Sequence, residues 1–348
     1  MPAWLRIRPV VLAAVATGIA AIAVLVIARI TGADAVGRAF DHVDMRWIGL
    51  IAGAELIAYP AYALAYRSIA RVGGYPALAL PLVARVVVAG FGPFTIGGGF
   101  GIDLKVLHAL HEDERSARVR VTALGTLEWA VLAPITCATA IALIVTGANI
   151  LPSLLWPWAI GVPVGFALAL WVSSPQRVAR FSWLRRGRRR QLVAHVLEGV
   201  SVMYTLARHP RTYAGAWLGV ALYWAADIAA FYGGLRTFGL DPGFGKVIIA
   251  YGTGYAATRR SLPLGGAGVT EFLMTYALYW VRQPLAPSLA AVVAYRVFNF
   301  LLAATPGLIA HRQLRSVLAG RPTPEPDRDD PLSGALVDDP LEQEPAEE

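Results

Sequence analysis

Uncharged runs long enough to cross a lipid bilayer dominate the chain. Val10 to Ala28 is 19 residues without a charge, and Trp129 to Gln176 is 48. A bilayer core takes about 20 apolar helical residues to cross. The longer run therefore holds two crossings, with a turn near Asn149-Ile150-Leu151-Pro152. Apolar spans fall at 10–30, 47–69, 77–95, 98–111, 119–146, 151–173, 213–236, 246–262, 267–281 and 288–310. Four of them, 77–95, 98–111, 246–262 and 267–281, are interrupted by Gly and Pro, which break helices. These four are predicted to be broken or re-entrant pieces, leaving six to eight full crossings. The predicted fold is an all-α polytopic integral membrane protein.

Charge sharpens this picture. Only 16% of the 348 residues are charged and 56% are hydrophobic, against about 25% charged in a soluble domain. The segment 174–212 carries nine arginines (Arg177, Arg180, Arg185, Arg186, Arg188, Arg189, Arg190, Arg208 and Arg211) and one acid, Glu198. Basic loops stay cytoplasmic, which puts this loop inside, and Arg6 and Arg8 put the N-terminus on the same side. Arg67 and Arg71, then Arg115, Arg118 and Arg120, mark two further cytoplasmic turns. Connections 147–152 and 239–245 are expected outside. Within the basic loop, Leu192, Val193, Val196, Leu197, Val200 and Tyr204 recur at helical spacing, the pattern of an amphipathic helix on the membrane surface. The apolar part of 1–30 is longer than the ~7–15 residues of a signal peptide, so it reads as an uncleaved first helix.

The C-terminal segment differs in kind. From Pro322 to Glu348 there are six prolines, ten acids and one arginine, too little apolar surface to offset ordering entropy. Residues 1–315 are therefore read as the membrane domain and 316–348 as a disordered, acidic, Pro-rich cytoplasmic tail. The net charge of +8 is the sum of −9 on that tail (322–348) and +17 on the rest. The expected location is the cell membrane, multi-pass, with both termini cytoplasmic.

Two segments resemble each other. One runs from Arg85 through Pro93, Gly97-Gly98-Gly99 and Gly101 to Asp103. The other runs from Ser261 through Pro263, Gly265-Gly266 and Gly268 to Glu271. Each has a Pro, a Gly-Gly pair, a further Gly and a carboxylate opening a helix, and the Gly-Gly pairs are 168 residues apart. Irregular backbone at membrane depth is tolerated only where protein buries it or a wet cavity adjoins it. Two such breaks in corresponding halves point to a binding site near the midplane; the alternative is close helix packing through small residues. Span 47–69 is predicted to run inward and 213–236 outward, which would invert one half relative to the other.

Charges inside the membrane need a partner, a cavity or a task. Candidates are Glu55, Arg85, Asp103, Lys105, Glu128, Asp227, Arg259, Arg260, Glu271 and Arg296. Arginine suits bidentate phosphate contacts, so Arg85, Arg259, Arg260 or Arg296 is a natural host for a phosphate headgroup, with Glu128 and Glu271 balancing those cations in the empty site. Arg296 and Asn299, three apart, share a helical face. Arg296 is expected to contact a lipid phosphate or to pair with a carboxylate, Glu271 first. No metal or cofactor motif is read in the membrane domain: His108 and His111 read as solvated turn residues, and no His-x-x-x-His or Walker-type loop occurs. The single Cys137 reads as apolar packing. The basic loop shows no known nucleic-acid-binding fold, which argues against nucleic acid as a partner.

At these residues the chain resembles the lysylphosphatidylglycerol synthase transmembrane-region family, over about residues 10–315. Its first hallmark corresponds to Arg85, Pro93 with Gly97-Gly98, Lys105 and Glu128. Its second corresponds to Pro263, Gly265-Gly266-Ala267-Gly268-Val269-Thr270-Glu271 and Tyr295-Arg296. The family often has Arg where Lys105 stands and Glu-Arg where Glu128-Trp129 stands. The resemblance implies re-entrant helices and a lipid-handling, flippase-like role, with phospholipids or polyprenyl-phosphate sugars as substrates. The acidic tail stands where full-length synthases carry a soluble aminoacyl-transfer domain, so no enzyme activity is expected. The rival readings are a membrane-embedded transferase on a lipid-linked donor and a non-catalytic scaffold for cell-envelope enzymes. Expected partners are anionic membrane lipids, with a second copy of the chain or cell-envelope biosynthesis enzymes as further candidates. The orientation is testable by thiol labelling: in a Cys137→Ala background, Ser182→Cys is expected to resist membrane-impermeant maleimide added to intact cells and to react after permeabilisation.

Overall fold

The computed structural model describes residues 9–41, 43–92, 99–111, 114–172, 199–254 and 263–318. These form helices and short connections, with no β-strand among the described residues. Twelve α-helices are labelled here in chain order: α1 Pro9–Thr31, α2 Ala33–Ala39, α3 Arg46–Ala70, α4 Leu80–Gly90, α5 Phe100–His111, α6 Glu114–Val145, α7 Pro152–Val172, α8 Ala214–Thr237, α9 Phe244–Gly254, α10 Val269–Trp280, α11 Leu285–Arg296 and α12 Leu302–Leu318. Residues 199–208 are also helical. Helices α11 and α12 are joined through a π-helical turn, Val297–Leu301, into one long rod.

Six of these rods are long and apolar enough to cross a membrane: Val10–Thr31, Arg46–Ala70, Arg115–Val145, Pro152–Trp171, Ala214–Thr237 and Leu285–Leu314. The protein is a multi-pass membrane protein. Four further elements are half as long. Helices α4, α5, α9 and α10 have 11 or 12 residues each. At 1.5 Å per residue that is about 17 Å, roughly half of a 30 Å hydrocarbon core. They come in two pairs, α4 with α5 and α9 with α10, each interrupted where Gly and Pro cluster. The first interruption, residues 93–98, and most of the second, 255–262, lie outside the described residues, as do the basic segment 173–198 and the tail from 319.

The centre of the bundle is the contact between α3 and α8, the most extensive between any two helices. Small residues make it. A Cβ on Gly219 would stand 2.5 Å from the Ala65 nitrogen and 2.6 Å from the Ala61 oxygen, so only glycine lets the backbones approach this closely. Gly215 lies against Ser68 and Gly233 against Ile51 and Trp47, so the two helices run antiparallel. Lipid tails are as apolar as leucine, so close packing of this kind, rather than expulsion of water, holds such helices together.

Around this pair the halves exchange partners. The long helix after the first break, α6, packs on α9, the leading limb of the second break. The long helix after the second break, through α12, packs on α4, the leading limb of the first. One expected surface charge is placed differently. Arg120 is fully buried within α6, not in a solvated turn. Its Nη1 donates to the Ala70 carbonyl at 3.0 Å, its Nε to the Ser116 carbonyl at 3.2 Å, and its guanidinium lies 4.1 Å from the Tyr75 ring centroid. It thus answers a carbonyl in the last turn of α3, where helices leave acceptors unsatisfied.

Overpacking the seam is expected to be costly. Gly219→Val should lower stability by about 1–3 kcal/mol or more, read as an earlier thermal transition in detergent. Gly165→Val on α7, where a Cβ meets nothing within 4 Å, should stay within about 0.5 kcal/mol of the parent.

Candidate functional site

The second break builds the site from the backbone upward. Pro263–Gly266 forms one 3₁₀ turn, in which Leu264 (φ 56°, ψ 29°) and Gly265 (φ 64°, ψ 24°) are left-handed. Gly266 and Gly268 also have positive φ, 70° and 81°. Glycine takes this conformation at little cost; Leu264, with a Cβ, does not. The chain then enters α10 with Gly268 as N-cap. Glu271, third residue of that helix, folds back: its Oε2 accepts the Gly268 N–H at 2.7 Å. A carboxylate here answers an orphan donor and the positive end of the helix dipole.

The other oxygen of Glu271 meets the last crossing. Arg296 Nε donates to Glu271 Oε1 at 2.7 Å, with side chains only 5% and 2% exposed. The Nη groups reach further acceptors. Nη2 donates to the Gly265 carbonyl at 3.3 Å and Nη1 to Asn299 Oδ1 at 3.4 Å, and the group lies 4.5 Å from the centroid of the Phe300 ring. A π turn follows Arg296 directly and carries Asn299 and Phe300. Such turns are frequent at functional sites.

Asn299 links this ion pair to the α3–α8 seam. Its Nδ2 donates to Glu55 Oε1 at 2.8 Å and lies 3.1 Å from Asp227 Oδ1 and 3.2 Å from the Tyr295 hydroxyl oxygen. The amide orientation is forced: arginine only donates and so faces Oδ1, whereas carboxylates only accept and so face Nδ2. The Tyr295 hydroxyl donates to Asp227 Oδ1 at 2.8 Å, and the Tyr251 hydroxyl donates to Asp227 Oδ2. Glu55, Asp227, Glu271, Tyr295, Arg296 and Asn299 are all buried. One continuous polar chain thus joins α3, α8, α9, α10 and α11 in the middle of the bundle.

The first break contributes a separate group. Glu128 on α6 is buried; its Oε1 accepts the Tyr62 hydroxyl at 2.5 Å, and its backbone carbonyl accepts Trp224 Nε1 at 2.9 Å. Tyr62, Phe91 and Tyr223 pack ring against ring beside it. Asp103 is fully buried on α5, Arg85 is half-buried on α4, and Lys105 is exposed. Of the anticipated site residues, the structure brings together Gly265, Gly268, Glu271, Tyr295, Arg296 and Asn299, with Gly266 in the same turn. Glu128 receives the Tyr62 hydroxyl. Gly97, Gly98, Arg259 and Arg260 lie outside the described residues, as does the side chain of Pro263. Glu55 and Asp227 stood out as intramembrane charges but not as members of this site. Tyr251 and Tyr62 gave no sequence signal. Among the described residues no three His, Cys, Asp or Glu side chains are grouped to hold a metal ion.

The buried pair sets a stability test. Removing one partner of a buried ion pair costs about 3–5 kcal/mol, whereas replacing both can be near neutral. Glu271→Gln and Arg296→Met are each expected to lower the thermal transition in detergent substantially. The double variant should lie well above the sum of the two losses, since the amide oxygen introduced by Glu271→Gln can still accept the Gly268 N–H.

No curated protein matches the chain. A family profile does, over residues 11–307, described as the lysylphosphatidylglycerol synthase TM region. That range contains both broken helix pairs and all the residues of the polar chain. On this match the protein belongs to the lysylphosphatidylglycerol synthase transmembrane-region family, a membrane family of lipid or cell-envelope processes.

Proposed function

We propose that the protein carries an anionic lipid between the leaflets of the cell membrane, with the lipid phosphate bound by Arg296. The observation that carries this reading is a buried guanidinium set against the left-handed turn of a helix break. Nε is tightly bonded to Glu271, while Nη1 and Nη2 make bonds of 3.4 and 3.3 Å to neutral acceptors. Charged acceptors make shorter and stronger bonds, and a phosphate matches the planar fork bidentately. In this reading an entering phosphate diester takes the Nη edge, displacing the Gly265 carbonyl and the Asn299 amide while Glu271 keeps Nε in place.

Three features support transport. The arginine adjoins a broken helix near the middle of the bundle, the usual place for a transported headgroup. Helices α3 and α8 are antiparallel, and each half packs the other's broken limb, as re-entrant pairs in an inverted repeat would. A phospholipid or a polyprenyl-phosphate sugar would keep its tails in the bilayer while its headgroup crosses along the polar chain. No chemical conversion of the lipid is part of this reading. Both termini and the 174–212 loop are assigned to the cytoplasm from their arginine bias.

The test is reconstitution in vesicles containing fluorescent phosphatidylglycerol, with membrane-impermeant dithionite quenching the outer leaflet. The parent protein is expected to expose the inner-leaflet probe. Glu271→Gln/Arg296→Met should fold yet transfer at least tenfold less, a barrier raised by about 1.4 kcal/mol or more. Lys105→Ala, at an exposed position, should transfer normally. A folded double variant that transfers at the parental rate would overturn the assignment of Arg296. Conversion of a lipid-linked donor without transfer would favour a transferase instead.

A further inference from the structure

Helix α1 sits differently from the other crossings. Val10, Val11, Val15, Ile19, Ile22, Leu25, Val26 and Ile30 are all exposed, and only Ala16 and Ile27 are buried hydrophobics. In its most apolar window 11% of the residues are buried, against 56% for α8 and for the last crossing. Helix α7 is equally bare, but α1 differs in what it covers. Its contacts are with the 3₁₀ turn of the second break and with α2, α10, α11 and α12. A Cβ on Gly268 would meet Ile19 Cγ2 at 2.8 Å and Ala23 Cβ at 3.8 Å. Ala16 packs with Ala267 and Phe300 in a small cluster separate from the main core, flanked by Ala20 and Leu264.

Phe300, Gly268 and Leu264 tie this seam to Arg296. Phe300 lies against the guanidinium and beside Gly265. The Gly268 N–H is held by Glu271. Leu264 is the strained left-handed residue of the turn, and such strain collects at clamps and switch regions. Helix α1 is thus the wall between the Arg296 site and the surrounding lipid. The wall is lightly seated. Ala16, Ala20 and Ala23 share one helical face and offer only methyl groups. In lipid no hydrophobic force presses an apolar helix back onto the bundle. At its C-terminal end α1 is joined to α2 through Gly32, whose φ of 95° and ψ of 123° form a sharp joint with nothing within 4 Å of a would-be Cβ. Helix α2 itself packs on α11. The joint is anchored while the rod beyond it is loosely held.

We infer that α1 is a lateral gate. It pivots at Gly32 and parts from the seam at Ala16, Ala267 and Phe300, opening a path by which a phospholipid reaches Arg296 from within the bilayer. This rests on the lipid-binding reading of Arg296 above, and two readouts separate the inferences. In a Cys137→Ala background, Ala16→Cys and Ala267→Cys are introduced together and oxidised to lock α1 on the break. The reduced pair is the reference state. Exchange of bound phosphatidylglycerol for a deuterated chase, followed by mass spectrometry of the purified protein, reads the gate. Dithionite-detected transfer in vesicles reads transport.

Locking is expected to slow exchange at least tenfold and to abolish transfer, with both returning on reduction. Unchanged exchange in the locked protein would overturn the gate and leave the Arg296 site standing. Lock-dependent exchange with no transfer in the reduced protein would uphold the gate and overturn transport. Failure of the two thiols to cross-link, or no phospholipid taken up in either state, would overturn the gate.

Discussion

A guanidinium in hydrocarbon has five donors and no water to satisfy them, and much of this structure is organised by that constraint at Arg296. A regular helix answers it poorly, because its carbonyls already accept from its own N–H groups. The second break can. The chain leaves helical geometry at Pro263–Gly266, and the Gly265 carbonyl becomes available to Nη2. Where the chain re-enters helix, the first turn of α10 favours a carboxylate, and Glu271 serves the Gly268 N–H and Arg296 with its two oxygens. The Gly-Gly pair, the N-cap glycine and the glutamate are therefore one device.

The same constraint spreads to the seam between α3 and α8. Asn299 presents its oxygen to Arg296 and its nitrogen to Glu55 and Asp227. A buried carboxylate left without donors is costly, and Asp227 has two tyrosine hydroxyls besides the amide. Networks of this kind tend to rigidify when complete and to be costly when one member is lost. Their geometry depends in turn on the glycine seam. With Gly219 against Ala61 and Ala65 in an antiparallel pair, eight residues further along α8 brings Asp227 level with Glu55. A shift of that seam by one turn would separate the two acids from the single amide that joins them.

Much of the architecture was legible in the sequence because the bilayer is a strict ruler. Long uncharged stretches located the crossings, and Pro-Gly clusters located the interruptions. Helix α6 begins at Glu114, ahead of the expected 119, because Arg120 is buried against the end of α3 and the charged turn is part of the helix. The short α2 carries no long apolar run and went unrecognised. At the site, Arg296, Asn299 and Glu271 were readable from local spacing and the helix-start preference for acids. Tyr251, and the meeting of Glu55 with Asp227, were not. Those contacts join residues 24 to 244 positions apart, and which residues meet is decided by tertiary register that no local pattern records.

The π turn at Val297–Leu301 has a consequence for how the last crossing is read. A π turn accommodates one residue more than an α-helical turn, so removing one would rotate everything beyond it by about 100°. Helix α11 faces α8 and α10, while α12 faces α4. The rod carries two phases of side chains, one tuned to the Arg296 pocket and one to the opposite half of the bundle. The extra residue lets each phase be set without disturbing the other.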